Sequence, residues 1–229
     1  MRRLLLGCTT LVIASLLASE APRAQSESGG TVVGRVRLSR VRGTPLPSNA
    51  YSPRSVPTSA PPPSPEIKNV VVYLKGVVFK GTLPTSRQEI VQQGETFVPR
   101  VLAITRGSSV SFPNEDPIFH NVFSLSSAAT FNLGRFPQGQ TRVREFTKVG
   151  LVKVFCQIHS QMSASILVLD HPFFTVPELD GTFTLTNVPP GKYTVVGWHE
   201  RVGERSESVQ VKSGQSVSVD ISLPVEDGE

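Results

Sequence analysis

Cys156, His159 and Met162 fall within seven residues, Cys156-Gln-Ile-His159-Ser-Gln-Met162, and all three are soft or borderline metal ligands. A fourth candidate, His120, lies 36 residues before Cys156 in Phe119-His120-Asn121-Val122. Two imidazoles and a thiolate in a trigonal set, with a weak thioether on the axis, is the donor arrangement of copper electron-transfer sites. Zinc prefers Cys, His and carboxylate and makes little use of a thioether. Covalent haem needs a Cys-x-x-Cys-His run, which is absent from the sequence. The donor types thus predict one copper ion, cycling between Cu(I) and Cu(II), held by His120, Cys156, His159 and Met162.

Such a site needs elements that hold its ligands still. Leu151–Cys156 reads as a strand, and side chains alternate along a strand, so Val152, Val154 and Cys156 share the inward face while Lys153 and Phe155 point the other way. Ser165–Leu169 reads as the next strand and anchors the far end of the ligand loop. His120 opens a strand over Asn121–Ser124, so the ligands come from two strands and the fold fixes their geometry. Val101–Thr105, Val110–Phe112 and Thr141–Phe146 complete a set of short strands separated by turn signals, and no segment shows sustained helical periodicity. The fold class is all-β.

The flanking sequence predicts a second, smaller sandwich. Thr31–Leu38, Asn69–Leu74, Gly181–Leu185, Tyr193–Trp198, a stretch from Val209 and Val217–Leu223 read as its strands, with Pro189-Pro-Gly-Lys192 as a turn. The expected organisation is one discontinuous domain, 31–80 with 171–225, into which the 92–170 unit is inserted. Residues 44–65 hold most of the proline and serine, including Pro61-Pro62-Pro63, and predict a flexible, partly polyproline loop.

Within 92–170, the pattern Gly107-x-x-Val110-x-Phe112-x-Asn114, the His120-Asn121-Val122 triplet, Gly150, and Cys156-x-x-His159-x-x-Met162 resemble the cupredoxins, blue copper domains of the plastocyanin and amicyanin type. The resemblance implies a Greek-key β-sandwich in which these four residues bind copper for one-electron transfer. It also implies that His159 lies near the surface as the electron's exit and that Asn121, behind the ligands, ties the two ligand loops together. Ser160 and Gln161 depart from the family, making the ligand loop more polar than the apolar patch usual there. Gly181-x-Phe183-x-Leu185-x-x-Val188-Pro-Pro-Gly191-x-Tyr193, with Gly30-Thr-Val-x-Gly-x-Val36, is similar to carboxypeptidase regulatory-like, transthyretin-type domains, which implies an Ig-like sandwich without activity.

Arg2 and Arg3, the apolar run Leu4 to Leu17 and small residues up to Ala24 predict a signal peptide over 1–24, placing the mature protein in the periplasm or outside the cell. Cys8 comes too early in the apolar run to be a lipid attachment site. Export leaves Cys156 as a lone thiol in an oxidising compartment, which a metal would explain. No later stretch approaches the roughly 18 apolar residues of a membrane span. Loss of the leader lowers the formal net charge from +5 to +3, and no lysine or arginine run suggests nucleic acid. Arg135, Arg142, Arg144, Lys148 and Lys153 outnumber Glu115, Asp116 and Glu145 across the middle of the unit, which suits a redox partner with an acidic docking face, such as a c-type cytochrome or a dehydrogenase.

No Gly-x-Ser-x-Gly elbow, His-Glu-x-x-His run or phosphate-binding loop occurs, so the expected role is not that of an enzyme. His171 and His199 read as polar residues of the surface or of an interface between domains rather than ligands. Two other functions remain open to the sequence. One is a copper carrier or sensor; the other is a cell-surface or glycan-binding sandwich with a structural copper site.

Overall fold

The computed structural model describes residues 28–41 and 65–226, so the leader over 1–24 and most of the proline- and serine-rich segment lie outside the described residues. The chain enters β1 (Gly30–Val41) and, after a 3-10 turn at Pro65–Asn69, β2 (Val70–Lys75). Short strands β3 (Arg87–Glu89), β4 (Val91–Gln92) and β5 (Phe97–Val98) lead to β6 (Val101–Thr105), β7 (Ser109–Pro113) and β8 (His120–Ser126). Next come β9 (Ala129–Phe136), β10 (Thr141–Glu145), β11 (Gly150–Phe155) and β12 (Ser163–Leu169). The chain finishes with β13 (Phe174–Thr175), β14 (Thr182–Val188), β15 (Gly191–His199), β16 (Gly203–Val211) and β17 (Ser216–Glu226). No helix among the described residues is long and apolar enough to cross a membrane.

The expectation of an all-β fold built from several packed sheets holds. Sheet one has the order β14-β1-β17, sheet two β13-β2-β15-β16, sheet three β6-β12-β11-β8-β9 and sheet four β10-β7-β3, with β4 and β5 forming a separate pair. β1 runs antiparallel to β14 and parallel to β17, so strands from both ends of the described chain meet in sheet one. β2 likewise pairs with β13 and β15. Everything between β2 and β13 goes into sheets three and four and the β4–β5 pair.

Three apolar cores separate these layers. Val110, Phe112, Val122, Val152, Val154 and Ile166 meet between sheets three and four. Val32, Val72, Leu74, Val195 and Leu223 meet between sheets one and two. The third core, including Val71, Tyr73, Leu167, Leu169 and Trp198, packs sheet two against the outer face of sheet three. β2 and β12 are therefore buried on both faces, which is why their sequences are continuous apolar runs rather than alternating ones. Each such side chain contributes about 1.5–3 kcal/mol by leaving water.

Polar contacts stitch the same seam. Glu200 takes hydrogen bonds from Arg100 and from Ser165, and Lys153 Nζ lies 3.7 Å from it and 5.8 Å from the Trp198 ring centre. Nearby, Tyr73 donates to Glu204 at 2.5 Å. Burial and this carboxylate neighbour both raise the phenol above its ordinary value.

The strands read from the sequence are present, most with ends moved by a residue or two. The structure also differs from the expectation. β3, β4, β5, β9 and β13 had no predicted counterpart, and Gly203–Val211 begins well before the predicted Val209.

Candidate metal centre

Alternation along β11 buries Val152 and Val154 and leaves Phe155 outward, so the next residue, Cys156, turns into the core between sheets three and four. There the strand ends and the loop to β12 begins. The loop is closed by its own backbone: the Cys156 amide donates to the Met162 carbonyl at 3.3 Å, and the Met162 amide donates to the His159 carbonyl at 3.1 Å. Met162 is buried in the same core as Cys156. On the neighbouring strand, β8 starts at His120 and pairs with β11 through Phe123 and Phe155.

These elements bring His120, Cys156 and His159 together, with one ligand atom from each lying within 4.8 Å of the others. The two Nδ1 atoms are 3.0 Å apart and Cys156 Sγ is 4.0 Å from His159 Nδ1. Atoms bonded at about 2 Å to one ion lie at most about 4 Å apart, so the cluster needs to close by less than about 1 Å to hold one. The three ligand atoms are two imidazole nitrogens and one sulfur, with no carboxylate among them, a donor set that fits copper.

Asp116 is the functional residue that the sequence did not reveal. Its Oδ2 lies 2.7 Å from His120 Nε2, and a carboxylate can only accept, so His120 carries its proton on Nε2. In the neutral ring this leaves His120 Nδ1 as the lone pair facing Cys156 and His159, able to accept from His159 Nδ1. Asp116 is held in turn by the amides of Gly94 at 2.6 Å and Glu95 at 2.9 Å. Burial by itself would raise the Asp116 carboxyl; the donors on Glu95, His120 and Gly94 outweigh it and hold the group below the ordinary carboxylate value.

Asn114 supports the same loop, donating from Nδ2 to the carbonyls of Ile118 at 2.8 Å and Phe136 at 3.1 Å, while its Oδ1 accepts from the Asp116 amide at 3.0 Å. The Asn121 amide donates to Cys156 Sγ at 3.4 Å, a direct link between the strand of one ligand and the loop of another. Its side chain donates to Asn132 at 2.8 Å and the Gly134 carbonyl at 2.9 Å, clamping β8 to β9.

His120 is fully buried, whereas His159 is half-buried. Ser160 and Gln161 are exposed as their polarity suggests, and Gln161 donates to Glu95 at 2.8 Å. The expectation of a polar surface there is incomplete, because Ile118 and Phe119 before β8 and Ile158 in the loop are also exposed. His171 and His199 lie apart from the cluster. Both are buried: His171 accepts from the Phe173 amide, and His199 sits 3.1 Å from Glu66. Burial lowers both imidazoles below their ordinary value.

No protein family and no curated protein sequence matches this chain. Solved structures of cupredoxin type do match. A copper-containing nitrite reductase from Thermus scotoductus is 27% identical over 41% of this chain and 24% of its own, with a TM-score of 0.34. Amicyanin from Paracoccus versutus is 19% identical, covering 38% of this chain and 85% of its own, at 0.34. A purple cupredoxin from Nitrosopumilus maritimus is 21% identical over 36% and 99%, at 0.33. The chain thus spans about a quarter of the reductase. At these scores the likeness has no functional weight of its own.

Proposed function

We propose that this chain is an exported copper protein that carries single electrons. The observation behind this reading is the convergence of His120, Cys156 and His159 around one point, from a strand and a loop far apart in sequence, with no carboxylate among the ligand atoms. Bound there, copper supplies a couple that takes up and gives back one electron. The protein's part is to keep the donors fixed, shielded and correctly protonated.

Cys156 serves as the thiolate ligand, and the Asn121 amide directed at its sulfur withdraws negative charge from it. Asp116 holds His120 in the tautomer that leaves Nδ1 free to bind. Met162, buried at the end of the ligand loop, would offer its thioether as a further weak donor. His159, half-buried and adjoining exposed Ile158, is the ligand nearest the surface and would give a bound copper its route to a partner. The partner is a soluble redox protein such as a c-type cytochrome or a dehydrogenase, met in the periplasm or outside the cell after removal of residues 1–24.

The same reading divides the chain into a copper unit and a host sandwich. Supporting it, strands before residue 76 and after residue 173 pair with one another in sheets one and two. β3 pairs with β7, which supports including Arg87–Glu89 in the copper unit ahead of residue 92. The host sandwich, of the carboxypeptidase regulatory-like type, acts as a scaffold.

Titration of cupric ion into the mature protein tests the function. The expected result is intense visible absorption from thiolate to copper, a matching electron spin resonance signal and a reversible potential. Cys156→Ser is expected to abolish the absorption; an unchanged spectrum in that variant refutes the site. Rapid loss of the metal to a chelator would point instead to a copper carrier.

A further inference from the structure

We infer that Arg135, Arg142 and Arg144, on β9 and β10, form the docking face for the acidic surface of the redox partner; this rests on the electron-carrier reading. β9 and β10 are each the last strand of their sheet, so this flank of the copper unit is open. Arg142 and Arg144, two apart on β10, share a face, and their guanidinium groups lie 5.2 Å from the centre of the Phe136 ring and 5.6 Å from that of the Phe131 ring of β9. Resting on those rings, the two cations are ordered before any partner arrives, which lowers the entropy cost of docking.

None of the three is engaged in an ion pair among the described residues, whereas Arg35, Arg37, Lys68 and Lys75 each face a carboxylate within 4 Å. Of the nearby acids, Asp116 is committed to His120. The face adjoins the candidate metal ligands, since Phe136 is the cross-strand neighbour of His120 and Arg135 that of Asn121. A partner seated here therefore lies one strand from the site. An acidic protein fits better than single-stranded nucleic acid, because Phe136 is buried beneath its guanidinium and unavailable for base stacking.

The test uses the mature copper-loaded protein with a short polyglutamate peptide as the acidic probe, followed by amide chemical shifts. Binding is expected at about 10 mM salt, where charges reach about 30 Å, and should weaken sharply at about 100 mM. Shifts should centre on β9 and β10. The triple variant R135Q/R142Q/R144Q is expected to bind about tenfold more weakly. Arg135→Glu, which touches neither ring, should weaken binding on its own, and R142K/R144K should restore most of it by keeping the charge. Lys192→Gln, in sheet two, should have no effect. Unchanged binding in both the triple variant and Arg135→Glu, shifts centred on sheet two, or tighter binding of oligothymidylate or of phosphatidylglycerol vesicles would each overturn the docking face. Absence of the visible copper absorption would instead remove the electron-carrier reading, and peptide binding is measured independently of it.

Discussion

At the scale of single residues, what decides the chemistry is which ring nitrogen of His120 carries the proton. Asp116 settles that by accepting from Nε2, and two backbone amides settle the position of Asp116. Asp116→Asn keeps the shape but removes the charge, and its amide can turn a donor toward Nε2 and favour the wrong tautomer. Outer partners of this kind are worth about 10–100-fold in metal affinity. Asp116→Asn should therefore lower cupric affinity by that factor in a competition titration, with little change in the visible band of the loaded form. An unchanged affinity would reduce Asp116 to a loop brace. The candidate ligand types were legible in the sequence because chemistry selects them. The role of Asp116 was not, because it depends on residues 94 and 95 folding against residue 116.

At the scale of elements, β12 is the member that both anchors the ligand loop and joins two cores, with Ile166 and Val168 on one face and Leu167 and Leu169 on the other. Ile166→Ala should cost about 2–5 kcal/mol by leaving a cavity. Leu125→Ala, at a residue 78% exposed on β8, should change stability by less than about 0.5 kcal/mol. Denaturant unfolding of the two variants measures the contrast, and equal losses would mean that β12 is not the packed centre described. Strands such as β2 and β12 could be read from their apolar runs. β9 is less legible, because Gly134 at a positive φ and the register shift opposite Asn121 and Phe123 break the alternation of Phe131 and Leu133 before it reaches Phe136. β3, β4 and β5 span two or three residues each, too few to show a period.

At the scale of the whole molecule, sheet two is packed on both faces, so sheets one and three are joined through it by continuous apolar cores. Two buried histidines, His171 and His199, sit beside and on sheet two. Burial lowers His171, opposed by Asp170, and burial lowers His199, opposed chiefly by Glu66. A histidine with a lowered folded value takes up its proton more readily when unfolded, so its contribution is intact above about pH 6.5 and declines as pH falls below it. Comparing metal-free protein with an H171Q/H199Q variant isolates this effect. The difference in urea midpoint between them should be constant above about pH 6.5 and narrow below it. A constant difference down to pH 5 would show that neither group titrates on unfolding in that range. The sequence by itself determined the candidate donor types, the β class and the alternation that turns Cys156 inward, since these follow from residue chemistry and the two-residue repeat of a strand. Only the tertiary structure decided how Asp116 is held against His120 and that sheet two covers the outer face of sheet three. Asp116 and His120 are four residues apart, but the amides that fix Asp116 belong to residues 94 and 95, and the two sheets join strands far apart in the chain, so both features depend on how distant segments pack rather than on a local pattern.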